Sequence, residues 1–515
     1  MKKLEVVHPL LFAVFPVLFL YSYNIGIASL DQIWRPMVVI VAFTVLSWLC
    51  LTFVLKSKVK AGIIVSIFLV FFFSYGHIFK LVDNRTIEGI AIGQHKYIFP
   101  LWGLALVLCL ILLFITRKDL NKFSQLLNLM AAFLVISSIA TAVYGSTKGM
   151  TIDTVAQTES VDVSDIDRYP DIYYFILDEC SRTDDLNDLY ELDISEFNED
   201  MTKKGFYIAS RSTSNYATTP LSIASSLNYT YLDDLVRQVG PEYDDYLPLR
   251  QMIQDNRVVD YLKQRGYMFV SFASGINYTE IKSADRYMSG YQYLSEFENI
   301  IINTTPFVTV INKLFSNISN FQYDLHRFRI LYPLEKVGEI SNIDSPTFTF
   351  AHIFACHPPF VFNENGDEIN STEEFTFADG NYFITQWGRD EYIEGYRGMF
   401  TYILGKLEES IDEVISNSET KPIIIIQADH GGGSMMDYES LENTNIQERM
   451  AIFNIYYLPY GGNDLLYPEI TPVNTFRVIF NHYFNANLEL LEDKNYYSTQ
   501  SLPFKFTDVT EMGRH

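Results

Sequence analysis

Two hydrophobic patterns divide the chain. Up to about residue 145 the apolar positions run without a break in five stretches, near Pro9–Leu30, Pro36–Leu55, Ala61–Lys80, Tyr97–Thr116 and Leu126–Tyr144. Each is roughly 20 residues long, the length an α-helix needs to cross a bilayer. Residues 146–169 are polar, acidic and poor in large apolar side chains, the composition of a linker. From Pro170 onward, short β-branched runs at 171–179, 266–275, 346–357, 422–431 and 452–459 alternate with amphipathic segments such as 394–418. That alternation predicts strands and helices of an α/β domain built on a mostly parallel sheet. The chain therefore reads as a five-helix transmembrane bundle (1–145), a linker (146–169) and an α/β domain (170–515).

Charge sharpens the division. Residues 1–150 hold 13 Lys/Arg against 5 Asp/Glu, and the remainder holds 25 against 57, within a formal net charge of −24. Lysines and arginines gather before the first stretch, between the second and third, and between the fourth and fifth. By the positive-inside rule the N-terminus is cytoplasmic, and five spans leave everything after residue 150 outside. No short-side-chain cleavage site follows a short first apolar run, so a removed signal peptide is not expected. The acidic outer part would repel phosphate backbones, which argues against nucleic acid as a partner.

In a parallel sheet, ligands bind beyond the carboxyl ends of the strands. Three of the predicted strands end in polar side chains: Asp178 and Glu179 with Arg182 shortly after, His352 and His357 in the third run, and Asp429 and His430 after four consecutive isoleucines. Acids and imidazoles converging on one sheet edge suit a divalent cation. His352 lies five residues before His357 in one extended run, so the two are expected on opposite faces, with His352 structural. Thr219 followed by Pro220 and an apolar run reads as a helix start, and a helix N-terminus favours phosphate or sulfate. A Thr hydroxyl there, beside a cation, is a candidate nucleophile, with Thr218 as the alternative. Gly431–Gly433 would let the backbone approach the site closely.

Taken in order, the strand ending in Asp/Glu, the Thr opening a helix, the "HPP" at 357–359 and the "DHG" at 429–431 resemble the alkaline phosphatase superfamily. The architecture is most similar to its membrane-anchored sulfatase-like branch, which includes lipoteichoic acid synthases and phosphoethanolamine transferases. The resemblance implies Asp429 and His430 as metal ligands, joined by Asp178, Glu179 and Thr219, with Thr219 also the nucleophile. It implies His357 and Arg182 as groups on the substrate, and Mn or Zn as the cofactor. No Arg follows where a sulfatase would carry one, and a Thr cannot become formylglycine, so phosphoryl chemistry is expected. The implied activity is transfer of a phosphoglycerol-type or phosphoethanolamine-type head group from a membrane lipid to a cell-envelope glycan or lipid. A phosphate or sulfate ester hydrolase and a non-catalytic binding module are the alternatives. Cys180 and Cys356 are each expected at a strand end, and two free buried thiols are favoured over a disulfide.

Overall fold

The computed structural model describes residues 5–513 apart from 24–29, 83–85, 88–89, 92–94, 148–168, 277, 291–295, 308–318, 370–374, 376 and 378–379. Most of the expected linker, from 148 to 168, lies outside the described residues. Two compact units emerge: residues 1–151 with 292–319, and residues 152–291 with 320–515.

The first unit is helical, with α1 (His8–Tyr23), α2 (Leu30–Leu55), α3 (Lys58–Val82), α4 (His95–Ile115) and α5 (Asn121–Thr147). Four of the five contain windows long and apolar enough to cross a membrane: Ile33–Leu55, Lys58–Phe79, Tyr97–Ile115 and Asn121–Tyr144. The expected span Pro9–Leu30 is described as helix only to Tyr23. Leu46, Phe53, Leu112 and Phe133 point outward, a surface suited to hydrocarbon rather than water. Several polar groups inside the bundle are paired, whereas the buried Thr44 hydroxyl has no partner among the described residues. His8 Nδ1 lies 2.6 Å from Ser66 Oγ and its Nε2 lies 3.1 Å from Ser124 Oγ. Asn128 Oδ1, on α5, accepts hydrogen bonds from the amides of Val7 and His8, satisfying donors that the start of α1 leaves free.

Segment 292–319 groups with the helical unit, within the 170–515 stretch read from the sequence as the α/β domain. Its helix Glu296–Asn303 buries Phe297 and Ile301 in that unit's apolar core, and Glu298 pairs with Arg35 of α2. Short amphipathic pieces of this kind carry no period that distinguishes one unit from the other.

In the second unit seven strands form one sheet: β1 (Ile172–Leu177), β2 (Tyr207–Ile208), β3 (Met268–Phe272), β4 (Arg286–Met288), β5 (Thr347–Ile353), β6 (Ile423–Gln427) and β7 (Asn454–Tyr457). Their spatial order is β2-β7-β6-β1-β5-β3-β4; β6, β1, β5, β3 and β4 are mutually parallel, and β7 runs antiparallel to both β6 and β2. All five runs read as strands from the sequence are strands. The central position of β1 explains its apolar character, since it is buried on both faces. Alternation sends Tyr173, Phe175 and Leu177 to one core and Ile172, Tyr174 and Ile176 to the other. Four helices matter for the site: α6 (Thr183–Tyr190), α7 (Thr219–Leu227), α8 (Arg389–Asn417) and α9 (Ile446–Met450). Helix α8 covers the first face with Tyr396, Met399, Phe400 and Ile403, while α7 covers the second with Leu221, Ile223, Ala224 and Leu227.

Cys180 and Cys356 form a disulfide, with Cα atoms 5.4 Å apart, which corrects the expectation of free thiols. The reason lies in register. Leu177 pairs with Ile353 in adjacent parallel strands, so the residues three places beyond each fall side by side. The bridge closes a loop of sequence separation 176. Replacing both cysteines by alanine is expected to lower stability by about 2–5 kcal/mol, mainly through the freed unfolded chain. Thermal melts of the double variant beside the oxidised parent check this; an unchanged midpoint would show that the bridge adds no constraint.

Candidate active site

The carboxyl ends of three neighbouring strands, β6, β1 and β5, supply the site. Asp178 directly follows β1. Its nearest imidazole is His352, whose Nε2 stands 3.1 Å from Asp178 Oδ2. His352 is the register partner of Ile176, so it shares a sheet face with Asp178 two residues on. Thr279 Oγ1, 2.8 Å from His352 Nδ1, fixes the ring so that Nε2 faces the acid. The structure therefore places His352 at the candidate site, beside Asp178. β5 ends at Ile353, so His357 lies in the following loop, where strand alternation has no bearing on it.

Asp429 follows β6 by two residues. Its Oδ1 accepts hydrogen bonds from the amides of Glu179 (3.2 Å) and His430 (3.0 Å), while Ser214 and Ser222 both donate to its carbonyl at 2.6 Å. Ser222 belongs to α7, so these bonds lock the Asp429 turn to the helix that begins at Thr219. Ligand atoms of Asp178, His352 and Asp429 lie within 4.8 Å of one another, and all three residues are buried. Asp178 Oδ1, Glu179 Oε2 and Asp429 Oδ2 are buried oxygens with no hydrogen-bond partner among the described residues. Anionic oxygens rarely stay unpaired in an apolar interior. The donor set, two carboxylates and an imidazole with open lone pairs, fits a divalent cation.

The electrostatics agree. Burial would raise Asp178, but the adjacent His352 and the fields of His357 and His430 outweigh it and hold the acid low. Burial, with the charge of Asp178 next to it, pushes Asp429 up. Two acids that resist ionising together invite a positive charge between them.

His430 Nε2 lies 3.0 Å from Thr219 Oγ1, 3.2 Å from Asp429 Oδ2 and 3.9 Å from Asp178 Oδ1. Its Nδ1 lies 3.1 Å from the Gly431 carbonyl, which only accepts, so Nδ1 carries the proton. Burial, then the charge of Arg449, keeps the ring neutral by holding its pKa well below the ordinary value. Nε2 is thus an acceptor, its lone pair shared between the Thr219 hydroxyl and the Arg449 guanidinium.

Helix α7 begins at Thr219, with Thr218 as its extended N-cap, one residue earlier than expected, and Pro220 in its first turn. Both threonines are half-buried, but the Thr218 hydroxyl has no partner among the described residues, whereas that of Thr219 is bonded to His430.

Glu179 faces the other half of the site. Its Oε1 accepts from the Tyr392 hydroxyl at 3.0 Å and lies 3.5 Å from Arg449 NH1; its Oε2 lies 3.9 Å from His357 Nε2. Its backbone occupies the left-handed region, φ 66°, held by the bond from its amide to Asp429 and by the Tyr396 hydroxyl on its carbonyl. Burial pushes its carboxyl up to about 7 against the opposing pull of His357 and Arg449. His357 is raised, since Glu179 and Asp178 outweigh the downward effect of burial.

Arg449, on α9, is the residue that sequence reasoning missed. It is 2% exposed, donates through Nε to the Ala217 carbonyl (2.7 Å) and through NH1 to the Gly431 carbonyl (3.1 Å), and brings NH2 to 3.2 Å from His430 Nε2. Arg182, expected on the substrate, is instead engaged elsewhere: Nε and NH2 clamp Asp184 at 2.7 Å each, and NH1 donates to the Ser212 carbonyl. The glycines after His430 are dictated by space. A Cβ on Gly433 would meet Glu179 Oε1 at 2.3 Å, and one on Gly431 would meet the Glu448 carbonyl at 2.1 Å.

Behind the site, α6 buries Asp185, whose Oδ2 has no partner. Burial, followed by the neighbouring Asp184, pushes it up from 3.8 to about 7. The folded chain therefore holds a proton there that the unfolded chain releases, so this group's contribution falls as pH rises from about 4 through 7. Asp185→Asn is expected to stabilise the protein by about 1–3 kcal/mol at pH 8 and to give no gain below pH 4. Thermal melts at both pH values check it; a gain independent of pH would mean that the carboxyl is not held protonated.

No protein-family model matches the chain, and no curated protein matches it by sequence. Solved structures do. The chain is similar to the zinc complex of the C-terminal periplasmic domain of EcEptC from Escherichia coli, at 10% identity and TM-score 0.41, covering 67% of this chain and 96% of that one. The corresponding domain of the phosphoethanolamine transferase EptC from Campylobacter jejuni matches at 14% identity and TM-score 0.38, covering 61% and 89%. The integral membrane lipooligosaccharide phosphoethanolamine transferase A from Neisseria meningitidis matches at 12% identity and TM-score 0.39, covering 93% and 95%.

Proposed function

We propose that the chain is a membrane-bound, metal-dependent transferase that moves a phospho-head group from a lipid donor to a glycan or lipid of the cell envelope through Thr219. One observation carries the reading: the Thr219 hydroxyl opens a helix, 3.0 Å from a neutral imidazole lone pair, beside buried carboxylate oxygens that have no hydrogen-bond partner among the described residues. Asp178, Asp429 and His352 would hold the divalent cation, with His430 bordering them; Mn and Zn both suit such donors. When bound, the ion supplies positive charge for phosphate oxygens.

The protein groups divide the remaining work. His430 Nε2 takes the Thr219 proton as Oγ1 attacks phosphorus, and the bond from phosphorus to the lipid alcohol oxygen breaks. His357 hands that oxygen its proton, an assignment its raised pKa favours. Free amides at the start of α7 and the guanidinium of Arg449 face the phosphate oxygens. An acceptor hydroxyl then gives its proton to His357 as its oxygen displaces Thr219 from phosphorus, and the proton on His430 returns to Oγ1. Glu179 orients Arg449 and His357 in this scheme.

The test is turnover by the reconstituted full chain of phospholipids carrying labelled head groups, with phosphatidylethanolamine tried first. Metal-dependent release of diacylglycerol with transfer of label to an added glycolipid is expected. Label released only as free head group would favour the hydrolase, and absence of both turnover and bound metal would favour the binding module.

A further inference from the structure

The helical unit contains a cavity of about 490 Å³ between α1, α3 and α5. Its deep end is lined by Phe12, Ser66, Leu69 and Leu127, and its other end by His77 and Thr304. Along α3 the lining runs from Ser66 to His77, eleven residues, or about 16 Å. Spread over that length, the volume corresponds to a cross-section of about 30 Å². That leaves room for an extended hydrocarbon chain.

Water is a poor occupant. It needs two to four polar partners, and the few hydroxyls in the wall are already engaged. Ser66 Oγ faces His8 Nδ1, Ser74 Oγ donates to the Val70 carbonyl, and Thr304 Oγ1 donates to the Ile301 carbonyl. An empty slot would forfeit the dispersion contacts of its aromatic lining. The medium that surrounds helices of this length and composition is hydrocarbon. The two ends also differ. Phe12, Leu69 and Leu127 are buried, whereas the His77 side chain is exposed and stands edge-on to the Phe19 ring. At that same end the Gly76 amide donates to the Thr304 carbonyl at 2.9 Å, so the segment after the helix Glu296–Asn303 forms part of the rim.

We propose that this slot holds one acyl chain of a bilayer phospholipid, tail among Phe12, Leu69 and Leu127 and head group beside His77. That this phospholipid is the donor rests on the transferase reading; occupancy of the slot does not.

The test uses the full chain in vesicles of phosphatidylethanolamine and phosphatidylglycerol, doped with a phosphatidylethanolamine whose one acyl chain ends in a diazirine. After illumination, peptide mapping is expected to find label on Phe12, Leu69 or Leu127, which bulk lipid does not reach. Label confined to outward residues such as Leu46, Phe53 and Phe133 would overturn the proposal. In Leu69→Trp, label at Phe12 and Leu127 should fall about tenfold while that at Phe53 persists, because the added ring takes the space of several methylenes. Equal labelling in that variant would also overturn the slot. If the variant does not fold, the wild-type map decides alone. Slot labelling in a chain that never forms a Thr219 adduct would keep the slot and sink the transferase reading.

Discussion

The Thr219→Ala variant, incubated with mixed phospholipids and Mn or Zn, is expected to keep its own mass while the parent chain gains that of one transferred group. Thr219 combines a helix N-terminus with an imidazole lone pair 3.0 Å from its hydroxyl. Removing a nucleophile of this kind lowers turnover by on the order of 10⁴-fold or more. The same experiment decides between the two threonines. Thr218→Ala deletes a hydroxyl with no partner and should leave turnover within about fivefold, since nothing in the chemistry is assigned to it. Loss of the adduct in Thr218→Ala with retention in Thr219→Ala would move the nucleophile by one residue.

Chelation is the second large effect. Stripping divalent ions should abolish turnover and lower the melting midpoint, and Mn or Zn should restore both. A ligand present at a hundred times its dissociation constant stabilises by about 2.7 kcal/mol. The sign of a variant makes this sharper. In the metal-free protein Asp178 and Asp429 oppose each other's ionisation, so Asp429→Asn should stabilise the stripped chain while cancelling the gain from added ion. A chain whose midpoint ignores both chelator and ion would show that the buried carboxylates do not form a metal site.

Much of this was legible in the sequence because it rests on period. Runs such as Ile423–Ile426 bury both faces of a strand whatever surrounds them, and each of the five predicted strands proved real. Polar residues just past such runs locate themselves, so Asp178, Glu179, Asp429 and His430 were visible without coordinates. What stayed hidden depends on register between distant segments. His352 joins the site because it pairs with Ile176, and the Cys180–Cys356 bridge follows from the same ladder. Strand alternation could not relate the two histidines, because β5 ends at Ile353, before His357. Arg449 sits on a five-residue helix with no amphipathic period and reaches the site only through the folding of the 434–445 loop. The packing of the helix Glu296–Asn303 on the apolar core of the helical unit was equally hidden, because an eight-residue helix cannot announce which core it enters.

The order of the sheet bears on how the site comes into being as the chain is made. β1 pairs with partners roughly 175 and 250 residues further along, and with nothing nearer. Its run of six apolar residues therefore emerges long before either neighbour and must be kept from pairing with other chains. A ribosome halted at residue 400 would have produced Asp178, Thr219 and His352 without Asp429 or His430. The candidate site is thus completed only once the chain has been made through His430, and no product halted before that residue can carry it.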